Sequence, residues 1–162
     1  MNCETCERIS KNTGKVFDIG DIVVMTAPEP ATYGHCVVVS KQHATIIEQL
    51  PAKTIGAMFE KANKLAVALF ETNLAQGTNL LIQNGIAAGQ KHNHAMIHVI
   101  PRVQDDMMNF GWQPKQLPED EMGTAELKLK DAINAPEEKK EEKKEEPKKE
   151  IIEDLKYFER IP

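Results

Sequence analysis

Apolar positions recur at two different periods along this chain, and the change of period marks out its elements. Lys15–Ile19 and Ile22–Met25 are short apolar-rich runs on either side of Gly20-Asp21, the pattern of two strands joined by a tight turn. Ala27-Pro28-Glu29-Pro30-Ala31 is a rigid loop leading to Gly34-His35. Cys36-Val37-Val38-Val39 is an unbroken apolar run, which suits a buried strand, with Cys36 most simply part of the packing. From Leu50 to about Leu74 the spacing becomes three and four. Ile55, Met58, Phe59, Ala62, Leu65, Ala66, Leu69 and Phe70 recur with Lys and Glu between them, predicting a long amphipathic helix whose stripe is core. Pro51 fits its first turn and Gln76-Gly77 is its expected end. Asn79–Gln83 reads as the next strand and Asn84–Gln90 as a loop of small residues. A last helix opens at Pro118-Glu119-Asp120-Glu121 and runs through Leu127, Leu129 and Ile133, with acidic residues where the helix dipole favours them.

The stretch Gly89-Gln90-Lys91-His92-Asn93-His94-Ala95-Met96-Ile97-His98-Val99-Ile100-Pro101-Arg102 holds three of the five histidines. In an extended strand, positions 92, 94, 96 and 98 share a face, so His92, His94 and His98 would line up with Met96 among them. Pro101, lacking an N–H, is the expected strand stop. A row of imidazoles can donate protons, attack phosphorus or bind metal. One or two of them would read as a polar strand edge; three on one face favour chemistry.

Composition narrows the classes further. At 162 residues the chain has room for one domain with a core and an appended tail. No apolar run approaches the roughly 20 residues that span a bilayer, and no signal peptide opens the chain, so a soluble, cytoplasmic protein is expected. A formal charge of −5 argues against a nucleic-acid backbone as partner. Three cysteines are too few for a secreted disulfide framework. Cys3 and Cys6 form a C-x-x-C pair that supplies half of a tetrahedral metal site; two incidental thiols would look the same. Residues 135–150 are almost pure Glu and Lys and read as a solvated linker. The hydrophobic peptide 151–162 beyond it would dock on its own domain, on a second subunit or on a partner protein.

The motif resembles the signature strand of the histidine-triad (HIT) superfamily of nucleotide hydrolases and transferases. Gly89-Gln90 and Pro101-Arg102 match at both ends, which puts the three triad positions at His94, Met96 and His98. Gly34-His35 followed by apolar residues and by Lys41-Gln42-His43 resembles the family's third strand. The resemblance covers roughly residues 1–134, with an overall form similar to archaeal members. It implies an α+β fold with an antiparallel sheet of about five strands, one long helix, a C-terminal helix and a homodimer. It also implies structural zinc on Cys3, Cys6, His43 and His94, and phosphate contacts from Asn84, Gln90 and His98. In the intact triad the flanking imidazoles bind phosphate oxygens, while the middle one attacks phosphorus and forms a nucleotidyl-histidine.

Met96 occupies that middle position. A thioether is a weak acceptor with no proton to manage, so it cannot replace the imidazole. The acidic position expected to hold the ribose falls on Ala27, with Glu29 nearby but out of register. Three readings follow. The chain binds a nucleotide or nucleotide conjugate, related to nucleoside phosphoramidates or dinucleoside polyphosphates, with catalysis impaired. Alternatively it is an active hydrolase whose nucleophile is His92, which extends the same face one step beyond His94; a two-residue register shift is roughly 6.5–7 Å along a strand. In the third reading it is an interaction module acting through its tail.

Overall fold

Cys36–Ser40, buried at every position, is the strand around which the sheet is built. The computed structural model describes residues 3–135; the rest of the Glu/Lys-rich stretch and the peptide 151–162 lie outside them. We number this strand β3. It follows β1 (Lys15–Ile19) and β2 (Ile22–Thr26) and precedes β4 (Gly77–Ile82) and β5 (Met96–Arg102). All neighbouring pairs are antiparallel, in the order β1-β2-β3-β5-β4, so the α+β architecture with a five-stranded sheet is as expected. Because side chains alternate, the sheet has two apolar faces. Ile22, Val24, Cys36, Val38, Ile97 and Val99 form one, covered by Met58, Ala62, Leu65 and Leu69 of the helix α2 (Ala52–Glu71). Val23, Met25, Val37, Val39 and Met96 form the other, where Ile9 of the seven-residue helix α1 (Glu4–Ser10) packs. A strand covered on both sides needs no polar alternation, which explains the unbroken valine run.

Three local expectations are corrected. The histidine segment is extended only from Met96 onward; residues 92–94 form a bend, so His92 and His94 do not continue the strand face. Pro101 does not stop β5, which runs on to pair Arg102 with Gly77. The last β3 partner is Cys36 opposite Val99, and the Pro101 carbonyl accepts a hydrogen bond from Thr32 Oγ1 on the side that β3 has vacated. The missing N–H therefore costs no ladder bond. The long helix ends at Glu71 rather than at Gln76-Gly77. Asn73, at φ +57°, takes the left-handed cap, and the Leu74 N–H bonds back to the Leu69 carbonyl at 2.9 Å. Helix α1 has no counterpart in the sequence reading, since seven residues give too little periodicity to register.

Residues 3–110 form one compact unit. Those described from 111 onward form a second, which holds α3 (Glu119–Asn134) with Glu119, Asp120 and Glu121 in its first turn. No described helix is long and apolar enough to cross a membrane. Met58, fully buried where α2 meets the sheet, is the most direct probe of this packing. Met58→Ala should lower the unfolding free energy by about 2–5 kcal/mol in urea titrations. A loss below about 1 kcal/mol would mean that α2 is not seated on the sheet as described.

Candidate functional site

Four chain segments meet at the start of β5 and bring Cys3, Cys6, His43 and His94 together. Cys3 caps α1 and Cys6 lies in its first turn, while His43 follows β3 and His94 precedes β5. Their ligand atoms all lie within 4.8 Å of one another. The Cys3 Sγ to His94 Nδ1 distance is 3.6 Å, Cys6 Sγ to His94 Nδ1 is 3.5 Å, and Cys6 Sγ to His43 Nδ1 is 3.4 Å. A tetrahedral ion with sulfur at about 2.3 Å and nitrogen at about 2.0–2.1 Å sets the S···N edge at about 3.5–3.6 Å. The spacing and the S2N2 donor set therefore fit a divalent ion of that kind. His94 is fully buried, and its other nitrogen, Nε2, lies 2.9 Å from the Ser40 carbonyl. Nε2 therefore carries the hydrogen and Nδ1 keeps its lone pair, the form that ligates metal. Burial, followed by the neighbouring Cys3, pushes the Cys6 thiol up; a bound cation would reverse this by favouring thiolates.

Beside this cluster a cavity of about 200 Å³ opens on the second face of the sheet, with Met96 and His98 in its floor and His35 behind. The tautomers follow from the backbone. The Ala31 N–H donates to His35 Nδ1 at 3.0 Å, so His35 carries its hydrogen on Nε2. That hydrogen is donated to His98 Nδ1 at 3.1 Å, which leaves His98 to present its Nε2–H. Burial lowers the pKa of His35. The pKa of His98 falls to about 4, chiefly through burial and then through His35 and His92, so the ring is neutral near pH 7. His98 is a donor held in one orientation. Met96, 7% exposed, belongs to the cavity floor and to the valine-lined core at once.

The remaining expected residues divide. His92 lines the cavity from its bend, and its Nδ1 lies 3.9 Å from Glu4. Because residues 92–94 form a bend, strand spacing, which would put roughly 13 Å between positions four residues apart, does not describe its distance from Met96. Gln90 also lines the cavity, but its amide is committed to the loop. It accepts from the Gly85 N–H at 2.7 Å and donates to the carbonyls of Thr45 and His92 at 2.6 and 2.8 Å. Asn84 is bonded to the Ile47 N–H at 3.2 Å and to Glu48 at 2.6 Å, and does not line the cavity. Ala27 and Glu29 both line it, and Glu29 is paired with Lys91 at 2.8 Å across the rim. The sequence reading gave no role to His35, Lys91, Met108 or Phe110. His35 belongs to the Gly34-His35 pattern and Lys91 to the Gly89–Arg102 stretch, while Met108 and Phe110 lie in no motif.

The model of the HIT domain family matches residues 9–105. Adenylylsulfatase HINT3 of Arabidopsis thaliana is 34% identical over 94 residues, covering 58% of this chain. The chain spans about half (48%) of that protein's length. Adenosine 5′-monophosphoramidase HNT1 of Candida albicans is 25% identical over 126 residues, covering 75% of this chain and 79% of that one. The crystal structure of a Zn-bound histidine triad family protein from Mycobacterium smegmatis superposes with a TM-score of 0.63 at 27% identity. It covers 82% of this chain and 98% of that one.

The state of His98 can be tested by titration. Its ring resonances should move with a midpoint near 4 rather than 6.5. Since the native ring resists protonation while the unfolded one does not, its contribution to stability is complete above about pH 6.5 and is lost as pH falls towards 4. A midpoint at the ordinary histidine value would overturn the buried, neutral assignment.

Proposed function

Because the chain belongs to the HIT domain family, we propose that its cavity binds a nucleotide or a nucleotide conjugate, and that Met96 leaves hydrolysis at phosphorus impaired. The observation that carries this reading is the pairing of His98 with Met96 in the cavity floor. His98 Nε2–H suits an anionic phosphate oxygen: it is neutral and preoriented, its hydrogen fixed on Nε2 because Nδ1 accepts from His35. Next to it, where the family resemblance places the attacking imidazole, stands a thioether. An imidazole can attack phosphorus, expel the leaving group and later be released by water. A thioether would have to become a sulfonium, with no proton to lose. His94 does not make up the loss, since the cluster and Ser40 engage both of its nitrogens. The activities in the names of the two relatives support an adenine nucleotide joined at its phosphate as the ligand class; a dinucleoside polyphosphate is the related choice.

The metal in this reading is zinc, held by Cys3, Cys6, His43 and His94. Four protein ligands leave no open position, so its contribution is to fasten α1 and two loops together. The S···N spacing, the tautomer of His94 and the Zn-bound relative support it. A homodimer belongs to the same reading. β4 is an edge strand with Leu80 exposed, and α2 exposes Phe59, Val67 and Phe70. The second reading keeps activity and gives the attack to His92, favoured by its place on the cavity wall.

Single-turnover hydrolysis of adenosine 5′-phosphoramidate separates the two. Met96→His should raise the rate by about 10³-fold or more over the native chain, on the scale of losing or restoring a nucleophile. Ordinary turnover by the native chain that collapses in His92→Ala would instead establish His92. Zinc is tested independently by elemental analysis of the purified protein, with one ion per chain expected. Chelation or Cys6→Ser should remove the ion and lower Tm by several degrees. Metal-free protein with an unchanged Tm would refute the assignment.

A further inference from the structure

The segment after β5 contains two residues in a backbone conformation that L side chains rarely adopt, Asp105 at φ +61° and Met107 at φ +62°. Such strain persists only where surrounding contacts over-determine it. Here the contacts converge on one side chain. Arg102 donates from Nε and Nη2 to the two Asp106 oxygens at 2.5 and 2.8 Å, to Asn79 Oδ1 at 2.6 Å and to the Met108 carbonyl at 2.6 Å. Asp106, whose side chain is 8% exposed, also accepts from the Met108 N–H at 3.0 Å. The guanidinium carbon lies 5.4 Å from the centre of the Phe110 ring. Two residues held by this arrangement, Met108 and Phe110, line the cavity.

Their placement along the sheet gives them a role. Met96, His98 and Ile100 alternate along β5 and all line the cavity, with Arg102 next in the same row. Ile100 lies roughly 6.5–7 Å along the strand from His98. A ligand whose phosphate meets His98 would therefore extend its apolar part past Ile100 towards Met108 and Phe110. That end holds aliphatic and aromatic surface, while Leu81 lies opposite His98 on β4. Met108 and Phe110 also fall beyond the residues that the family model matches, which end at 105.

We propose that Arg102 is a positioning residue that folds residues 103–110 against the cavity, making Met108 and Phe110 the wall that receives the flat face of a nucleobase. The base assignment rests on the nucleotide reading above; the clamp does not. Arg102 suits the task better than lysine would. Its planar fork satisfies a carboxylate bidentately, leaves a donor for a carbonyl and stacks on an aromatic ring, which a single ammonium cannot do together.

The test uses the full chain with AMP and ribose 5-phosphate as probes in calorimetric titrations, together with hydrogen exchange at the Met108 amide. The native protein should bind AMP more tightly than ribose 5-phosphate. Phe110→Ala and Arg102→Lys should each weaken AMP by about tenfold while leaving ribose 5-phosphate unchanged. Phe110→Leu, which keeps apolar bulk without a ring face, should fall between. Arg102→Lys should also speed exchange at Met108 with Tm unchanged. Unaltered AMP affinity in the Phe110 variants, or equal native affinity for the two probes, overturns the base wall and spares the phosphate site. Failure of the native chain to bind either probe defeats the nucleotide reading and the base assignment with it. The clamp is then still judged by exchange, and unaltered protection at Met108 in Arg102→Lys overturns it.

Discussion

An imidazole has two nitrogens, and in this fold neither nitrogen of His94 is spare. One points at two cysteine sulfurs from the N-terminal helix, and the other is satisfied by the carbonyl that ends β3. This buried ring ties the start of the chain to the middle of the sheet. With α1 fastened there, Ile9 lies over the valine face, and Val23, Met25, Val37 and Val39 leave the solvent. The same ring lies in the bend at residues 92–94, directly before the point at which β5 starts with Met96. A short helix would not hold by itself in water. Here its place is secured by side chains that also define the edge of the cavity.

The two histidine groups illustrate one rule applied to different ends. In each, a backbone group fixes the hydrogen on one nitrogen and so dictates what the other can do. The Ser40 carbonyl takes the hydrogen of His94 and leaves a lone pair facing the sulfurs. The Ala31 N–H claims the lone pair of His35, which sends a hydrogen towards His98 and leaves His98 with a donor. One ring is thereby left with a lone pair among the sulfurs and the other with an N–H to donate, within a few residues of each other in sequence. Met96 lies between them and serves neither purpose. Its 7% exposure and its valine neighbours make it a packing residue whose thioether happens to reach the cavity.

The elements that the sequence disclosed are those whose signal is periodic or chemical. Eight apolar positions at three-four spacing marked α2, and the valine run marked β3. The C-x-x-C pair and the histidines marked a cluster that the fold does assemble. What stayed hidden depends on partners distant in sequence. Whether Pro101 ends a strand depends on where β3 stops, and whether His92 shares the face of His98 depends on the bend at residues 92–94. Helix α1 is too short to show a period, and Asn73 ends α2 by a left-handed cap that asparagine only sometimes adopts. Gln90 was legible as a site residue, yet its hydrogen bonds build the loop. Met108 and Phe110 carried no motif, since their position comes from Arg102.

The rim pair of Lys91 and Glu29 has a consequence for the speed of capture. The chain carries a formal charge of −5, which sets a weakly repulsive background for any approaching anion. At the mouth itself a cation is matched by a carboxylate 2.8 Å away, so the two fields cancel within a short distance. Such a mouth has no long-range electrostatic funnel. Encounters with anions would proceed at ordinary diffusive frequency, and adding salt would change the association rate little or raise it slightly by screening the background. For an anionic ligand, such a mouth would leave selection to shape and short-range hydrogen bonding at the floor.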